Sequence, residues 1–365
     1  MRTGAAFGFA PIFVFPLPCL NCDVQMARDA LKTLFHPFES GVVALPEKGA
    51  SLLFFGAEPG FRLPEGFDAT LCPVQGFRPH FRALAAAGFD VRPVPEGHSF
   101  DGALVLCGRH RGQNESWIAE ALERVNTGGM IVVAGSQDDG IASLRKRFEK
   151  ALELDGHLPK YHGVAFWFRR PENAGAKIEA LRTDKGGMLA DGRFIAAPGM
   201  FSHDRIDAGS RLLAENLPDK CKGTAADFGA GWGYLSAALL ERTAGLKSID
   251  LYEADHASLE AAKRNLTAFG GTIPLGYYWQ DLVGEKVEKK YDLIVMNPPF
   301  HQGRAAEPQI GQALIKAASS ALKPGGRLFM VANRGLPYDQ TLKAGFSSVS
   351  ELQREAAFRV IVAYR

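Results

Sequence analysis

Residues 224–239 constrain the fold of this 365-residue chain more than any other stretch. They read Thr-Ala-Ala-Asp-Phe-Gly-Ala-Gly-Trp-Gly-Tyr-Leu-Ser-Ala-Ala-Leu: a short apolar strand, glycines at 229, 231 and 233, then an Ala/Leu-rich helix. Glycine lets a backbone turn sharply and approach a ligand closely. A strand turning through glycines into a helix opens a βαβ unit, and open α/β sheets bind ligands at the carboxyl ends of their strands. The spacing Gly229-x-Gly231-x-Gly233 differs from the G-x-G-x-x-G of dinucleotide folds. Asp227 stands two residues before the first glycine. An acid there would repel a pyrophosphate and suit a bound amino group. That favours S-adenosylmethionine, whose methionine end carries an ammonium, over a nicotinamide dinucleotide.

Three further strand ends carry matching chemistry. Ser248 to Glu253 reads as the next strand, and Glu253 lies about twenty residues past the glycines, where a carboxylate can bind both ribose hydroxyls. A helix is expected over 257–269, with Leu259, Ala262 and Leu266 on one face. A third strand, Leu275–Trp279, ends at Gln280-Asp281, and Asp281 is placed to accept a hydrogen bond from an adenine amine. A fourth apolar run, Leu293 to Met296, delivers Asn297-Pro298-Pro299-Phe300. Asn297 offers a side-chain carbonyl and Pro298 a backbone carbonyl, while two prolines stiffen the turn. Phe300 offers an apolar face on which a nucleobase can stack. The four residues fit the holding of a planar amine so that its nitrogen attacks a methyl group. The joint occurrence is far more specific than any one motif.

These residues, together with Met200 to Leu213, Val331 to Tyr338 and the ending Phe358-Arg-Val, carry a family resemblance over most of 200–365. The chain resembles class I S-adenosylmethionine-dependent methyltransferases of the "methyltransferase small" group, in particular the guanine-N2 methyltransferases of 16S and 23S ribosomal RNA. The resemblance implies an α/β chain of two tandem Rossmann-like methyltransferase folds. The first is degenerate and the second has a seven-stranded, mostly parallel sheet. It implies S-adenosylmethionine as cofactor and methyl transfer to the N2 amine of a guanine in ribosomal RNA, with 16S favoured. Asn297, Pro298 and Phe300 would be catalytic. Asp227, Gly229, Gly231, Gly233, Glu253, Asp281 and Asn297 would hold the cofactor. Pro299, His301 and Tyr338 would meet the substrate. Two positions depart from the family pattern: Glu253, where Asp is common, and Trp232, whose bulk must point away from the cofactor. Adenine-N6 and protein-glutamine methyltransferases share the Asn-Pro-Pro-aromatic motif, because they too present a planar amine. An alternative of another class is a non-catalytic RNA-binding or ribosome-assembly protein.

The first half repeats the second without its chemistry. Phe100-Asp-Gly-Ala-Leu-Val-Leu-Cys-Gly-Arg109 parallels Tyr291 to Phe300, and Leu122 to Ala134 parallels Leu322 to Ala332. Cys107-Gly-Arg replaces Asn-Pro-Pro, and no Asp-x-Gly-x-Gly-x-Gly precedes it. Residues 26–172 therefore read as a degenerate methyltransferase-like domain: a helix or entering arm over 26–38, strand 50–56, helix 81–88 and a strand-like stretch over 91–95. A strand–turn–strand segment is expected within 173–199, and the catalytic domain over 200–365. Residues 1–25 are expected to be an extension that is disordered or lies before the true start. Their apolar run, broken by Pro11, Pro16 and Pro18, is too short to span a membrane.

Lys and Arg number 42 against 40 Asp and Glu, a net charge of +2, so RNA affinity must come from local patches. Arg109 and Arg111 are the best placed, because the repeat puts them at a strand's carboxyl end, where they would contact phosphate. The aromatics Phe166 to Phe168 are expected in a core strand. Five scattered cysteines, at 19, 22, 72, 107 and 221, indicate reduced thiols and no metal site, in a cytoplasmic protein without membrane association. The partner is expected to be ribosomal RNA or a ribosomal subunit, and the internal duplication is compatible with a monomer.

Overall fold

Strands of five to twelve residues, most of them buried and several followed by a helix, build two sheets along the chain. The computed structural model describes residues 28–182, 188–190, 192–267, 269, 273–299, 301–302, 305–306 and 308–365. The extension 1–25 lies outside them.

The first unit begins with helix α1 (Asp29–Glu39), strands β1 (Ser51–Phe55) and β2 (Thr70–Val74), and helix α2 (Arg78–Ala86). It continues with β3 (Phe100–Leu106), α3 (Arg111–Arg124), β4 (Val125–Ser136), α4 (Ile141–Glu149), β5 (Gly156–Lys160) and β6 (Gly163–Arg169). Its sheet runs β2-β1-β3-β4-β6-β5, with β1 to β4 parallel and the last two antiparallel. Phe166, Trp167 and Phe168 are buried in β6, as expected of a core strand.

Next come α5 (Gly175–Leu181) and a hairpin of β7 (Met188–Ala190) and β8 (Phe194–Ala196). The segment expected as strand–turn–strand is thus helical over 175–181. Ala, Lys, Glu and Leu favour a helix there, and Ile178 and Leu181 pack on the first unit's core. The expected turn at residues 184–187 lies outside the described residues. The hairpin packs into the second core through Phe194 and Ala196.

The second unit holds α6 (Ala208–Glu215), β9 (Lys220–Phe228), α7 (Tyr234–Arg242), β10 (Ala244–Glu253), α8 (His256–Thr267), β11 (Leu275–Trp279) and β12 (Tyr291–Met296). A short hairpin, β13 (His301–Gln302) and β14 (Ala305–Ala306), precedes α9 (Pro308–Ala321), β15 (Leu322–Asn333), α10 (Asp339–Gly345), β16 (Ser348–Glu355) and β17 (Phe358–Tyr364). The sheet runs β11-β10-β9-β12-β15-β17-β16 and is parallel except at β17.

The two orders are the same once one strand is removed. Strands β2, β1, β3, β4, β6 and β5 take the places of β10, β9, β12, β15, β17 and β16. Where the second unit has β11, the first has a single bridge between Val74 and Arg92. The stretch 91–95 was expected to be strand-like. Pro93 and Pro95 carry no N–H and cannot extend a ladder.

The first unit's carboxyl edge is closed by its own side chains. Arg28 pairs with Glu58 at 2.8 Å and Asp139 at 3.3 Å, and reaches the Cys107 carbonyl at 3.4 Å. Asn114 binds both backbone groups of Gly108, at 3.0 and 2.7 Å, so the loop matching Asn297-Pro-Pro is tied to α3. Trp117 packs so tightly on Gly56 that a Cβ there would lie 2.8 Å from the ring.

The units lock through the β2–α2 loop. The Gly76 carbonyl accepts hydrogen bonds from the His256 N–H (2.9 Å) and the Trp279 indole (3.0 Å), and the Arg78 N–H donates to Ala254 (2.8 Å). Arg78 forks onto Glu285 at 2.8 and 3.0 Å and lies over the Trp279 ring. Arg82 reaches Asp281 at 3.1 Å. Among the described residues no helix is long and apolar enough to cross a membrane, and no group of three metal-ligating side chains occurs. Replacing Arg78 by Ala removes the fork and leaves Glu285 without it. It is expected to lower the midpoint of urea unfolding by the equivalent of about 1–2 kcal/mol, a charged hydrogen bond discounted for partial exposure. Superimposable unfolding curves would contradict this reading of the interface.

Candidate active site

Parallel pairing puts the ends of β9, β10, β11 and β12 in one row, since Phe228 pairs with Met296 and Tyr252, and Tyr252 with Tyr278. The four sequence motifs therefore open on the same edge. Gly229 and Gly231 adopt positive φ of 75° and 53°, and an added Cβ would meet nothing within 4 Å at either, so the loop leaves open space at its surface. Gly233 serves packing instead, since a Cβ there would come within 3.2 Å of Ala262 on α8. Trp232 is 4% exposed, turned toward Phe194, with its indole N–H donating to the Phe201 carbonyl at 2.9 Å.

Asp227 is fully buried at the end of β9. Its Oδ2 accepts a 2.7 Å hydrogen bond from the Ser236 hydroxyl on α7, and its Oδ1 has no donor among the described residues. Burial raises its pKa to about 7, against a lowering effect of Ser236. Glu253 accepts from the Gly231 N–H and the Asp255 N–H, both at 2.8 Å. Burial is again the leading cause that raises its pKa to about 7, with those backbone donors opposing. Both acids thus stand poised for a ligand that supplies a cation or hydroxyl donors.

Asp281 carries a second task that sequence reading missed. Its Oδ1 accepts from the Val283 N–H and its Oδ2 from Arg82 of the first unit. The first unit therefore touches the residue expected at the adenine end.

Asn297 has the most informative surroundings. Its Nδ2 donates to Asp207 Oδ2 at 3.0 Å and Ser210 Oγ at 2.8 Å. An amide oxygen cannot bond a carboxylate, so the nitrogen must face Asp207 and Oδ1 is left to face away. Asp207 is held in turn as the N-cap of α6, accepting the Ser210 N–H at 2.8 Å. Asp207 and Ser210 fall in the resembling stretch Met200 to Leu213, which the sequence reading gave no such role. An Asp ahead of a helix with Ser three residues on is the cap signature that could have found it. Phe201, Ser202, Asp207, Ser210, Gly229 to Trp232 and Asn297 line a single cleft.

The remaining expectations divide. Pro298 is buried and Pro299 exposed at the strand end. Phe300 lies outside the described residues, and His301 opens β13. Tyr338, expected at the substrate, is instead fully buried in the second core, and a Cβ on Gly311 of α9 would lie 2.0 Å from its hydroxyl. Gly311 leaves the room that the ring occupies. Arg109 and Arg111 flank the β3 end, 3.5 Å from Asp139 and 3.7 Å from Glu115, and neither lines the cleft of Asn297. Gln113 of α3 nonetheless packs on Gly199, two residues before Phe201 of the cleft.

A family model described as Methyltransferase small domain matches residues 191–362. A Ribosomal RNA small subunit methyltransferase C of Chromohalobacter salexigens is 31% identical over 310 residues, spanning 82% of this chain and 86% of its own. The chain belongs to the ribosomal RNA small subunit methyltransferase C family. A further member, from Hahella chejuensis, is 34% identical over 253 residues, 64% of this chain and 69% of its own. A solved family member, the T. Thermophilus 16S rRNA N2 G1207 methyltransferase (RsmC) in complex with AdoMet and guanosine, is 23% identical. It aligns with 93% of this chain and 92% of its own at a TM-score of 0.75, so the two-unit fold is shared.

The residues at the strand ends around the cleft fit S-adenosylmethionine. The unpartnered Asp227 Oδ1 suits an ammonium, Glu253 suits ribose hydroxyls, and the open faces of Gly229 and Gly231 leave room for the cofactor. One molecule is expected per chain, because Arg28 and Asn114 fill the matching edge of the first unit. Both acids titrate about 7 when folded against 3.8 and 4.5 ordinarily, so folding takes up protons between about pH 4 and 7. Their contribution to the stability of the free chain is present below about pH 4 and lost as the pH rises through 7. A cationic ligand favours the ionised forms, so calorimetric affinity for S-adenosylmethionine should rise from about pH 5 to 7, below the titration of the ligand's own amine. Asp227→Asn should flatten that rise; an affinity independent of pH in the native chain would contradict the assignment.

Proposed function

We propose that this chain transfers a methyl group from S-adenosylmethionine to the exocyclic N2 amine of a guanine in 16S ribosomal RNA. Family membership supports ribosomal RNA of the small subunit as the substrate class. The guanosine bound to the T. Thermophilus relative supports guanine as the base. The observation that carries the chemistry is the anchored amide of Asn297, which lines the cleft and whose carbonyl oxygen accepts no hydrogen bond among the described residues.

Guanine N2 is a weak nucleophile, because its lone pair is delocalised into the ring. Asn297 Oδ1 and the Pro298 carbonyl would accept its two N–H bonds and aim the nitrogen. Both acceptors are carried by a stiff Pro-Pro turn, so little motion is lost on binding. When bound, S-adenosylmethionine supplies an electrophilic methyl group. Asp227, Glu253, Asp281 and the glycine loop would hold it. No strong base is needed before attack, since the proton leaves after nitrogen has become cationic. Phe300 would stack on the extruded base, with Pro299 and His301 beside it. Arg109 and Arg111 would contact phosphate at the rim. Asp207 and Ser210 act through Asn297 and are positioning residues.

In this reading residues 26–172 form the degenerate unit, 173–199 the connection and 200–365 the catalytic unit, with the β7–β8 hairpin packed on the latter. The chain works as a monomer, in the cytoplasm, where ribosomal RNA and cofactor meet. Adenine-N6 and glutamine amines would fit the same two acceptors, so the product must be identified chemically.

The test is transfer of labelled methyl from S-adenosylmethionine to 30S subunits, 50S subunits, naked rRNA and bulk protein, followed by digestion to nucleosides. Label in N2-methylguanosine of 16S rRNA is expected. Asn297→Ala should lower kcat by about 100-fold or more, as for other lost positioning contacts, with cofactor affinity little changed. Label in N6-methyladenosine or in glutamine would overturn the substrate. Cofactor binding with no transfer to any substrate would favour a non-catalytic assembly role.

A further inference from the structure

A second concave surface lies on the same edge of the catalytic sheet. Arg334, Arg354 and Arg359 converge with Asn333 on an open cleft of about 620 Å³ between the end of β15 and the β16–β17 turn. Its floor is made of small residues, Gly335, Ala356 and Ala357, so that a backbone can come close. A Cβ on Gly335 would meet nothing within 4 Å.

The cleft adjoins the proposed reaction centre. Met296 pairs with Met330, so Asn297 lies beside Val331 and Arg334 follows three residues later. At about 3.3 Å per residue along a strand and about 4.8 Å between strands, the Arg334 backbone is roughly 11 Å from that of Asn297.

The charges within it are unequal. Arg354 forks onto Glu351 at 2.7 and 2.9 Å, and Arg359 onto Asp339 at 2.9 and 3.1 Å. Glu355 accepts from Gln353. Arg334 is exposed and reaches only the Ala356 carbonyl, at 3.3 Å, with no carboxylate within 4.0 Å among the described residues. Arg354 and Arg359 are thus each forked onto a carboxylate, Glu355 is held by Gln353, and Arg334 is the guanidinium left to bind an anion.

We infer that this cleft binds phosphates of the RNA strand that flank the target nucleotide, with Arg334 as the principal contact. This rests on the proposed RNA substrate. Three features favour a phosphodiester chain: the guanidinium chemistry, the small-residue floor, and a chain whose net charge of +2 leaves RNA affinity to local patches. Such a contact fixes register without reading sequence.

The test is filter binding of naked 16S rRNA and of 30S particles to the full chain across a salt series, comparing Arg334→Gln and Arg334→Lys with the native protein. S-adenosylmethionine affinity and thermal midpoint serve as fold controls. For Arg334→Gln, the slope of log affinity against log salt is expected to fall by about 0.7–1, one phosphate contact, with Arg334→Lys keeping most of it. Unchanged affinity and slope toward both ligands would overturn the assignment. Weakened binding to 30S particles alone would give the cleft to a ribosomal protein and overturn it equally. Methylation by the same preparations keeps the two ideas apart. Normal N2-methylguanosine formation with an unchanged salt slope removes only the cleft. A reduced slope without methylation by the native chain removes only the proposed reaction.

Discussion

The hydrogen bond between Asp207 and Asn297 fixes the sense of the whole site. A carboxylate only accepts, so the Asn297 amide can present only its nitrogen to Asp207 and must leave its oxygen elsewhere. Everything nearby serves that choice. Ser210 takes the second N–H, and Asp207 is itself fixed by capping α6. Gly209 lets α6 approach β17, since a Cβ there would sit 3.0 Å from Phe358. The strand that carries Asn297 is buried on both faces, with Leu293 and Val295 in one core and Ile294 and Met296 in the other. An acceptor built this way cannot flip without breaking two hydrogen bonds.

The two units show what a duplicated fold keeps when its chemistry goes. The strand order survives, less one edge strand stopped by prolines. The carboxyl edge of the first unit is filled by an ion-pair cluster around Arg28 and by Asn114. Its β2–α2 loop has become a clasp for the second unit: the Gly76 carbonyl, Arg78 and Arg82 meet His256, Trp279, Asp281 and Glu285. Because Asp281 is among the residues grasped, the first unit bears on the adenine end of the proposed cofactor site.

Much of this was legible in the sequence because strand ends are written locally. The glycine loop, Glu253, the strand Leu275–Trp279 and Asn297-Pro-Pro each lie where the apolar run before them dictates. The internal repeat was visible because β3 and β12 share a burial pattern as well as residues. What escaped was non-local. Asp207 meets Asn297 across 90 residues and Arg82 meets Asp281 across 199, and no periodicity reports such pairs. Tyr338 was expected at the substrate through the resemblance, but it is buried in room left by Gly311 on another element. The helix α5 hid because seven residues with neutral ends give little signal against neighbouring turns.

The most direct measurement is a crystal structure of the chain with S-adenosylhomocysteine and guanosine. The guanosine N2 should lie within hydrogen-bond distance, about 2.7–3.2 Å, of both Asn297 Oδ1 and the Pro298 carbonyl, with Asn297 Nδ2 still on Asp207. Guanosine bound with N2 turned away from Asn297, or Asn297 rotated so that its nitrogen faces the base, would contradict the proposed role of the Asp207–Asn297 pair.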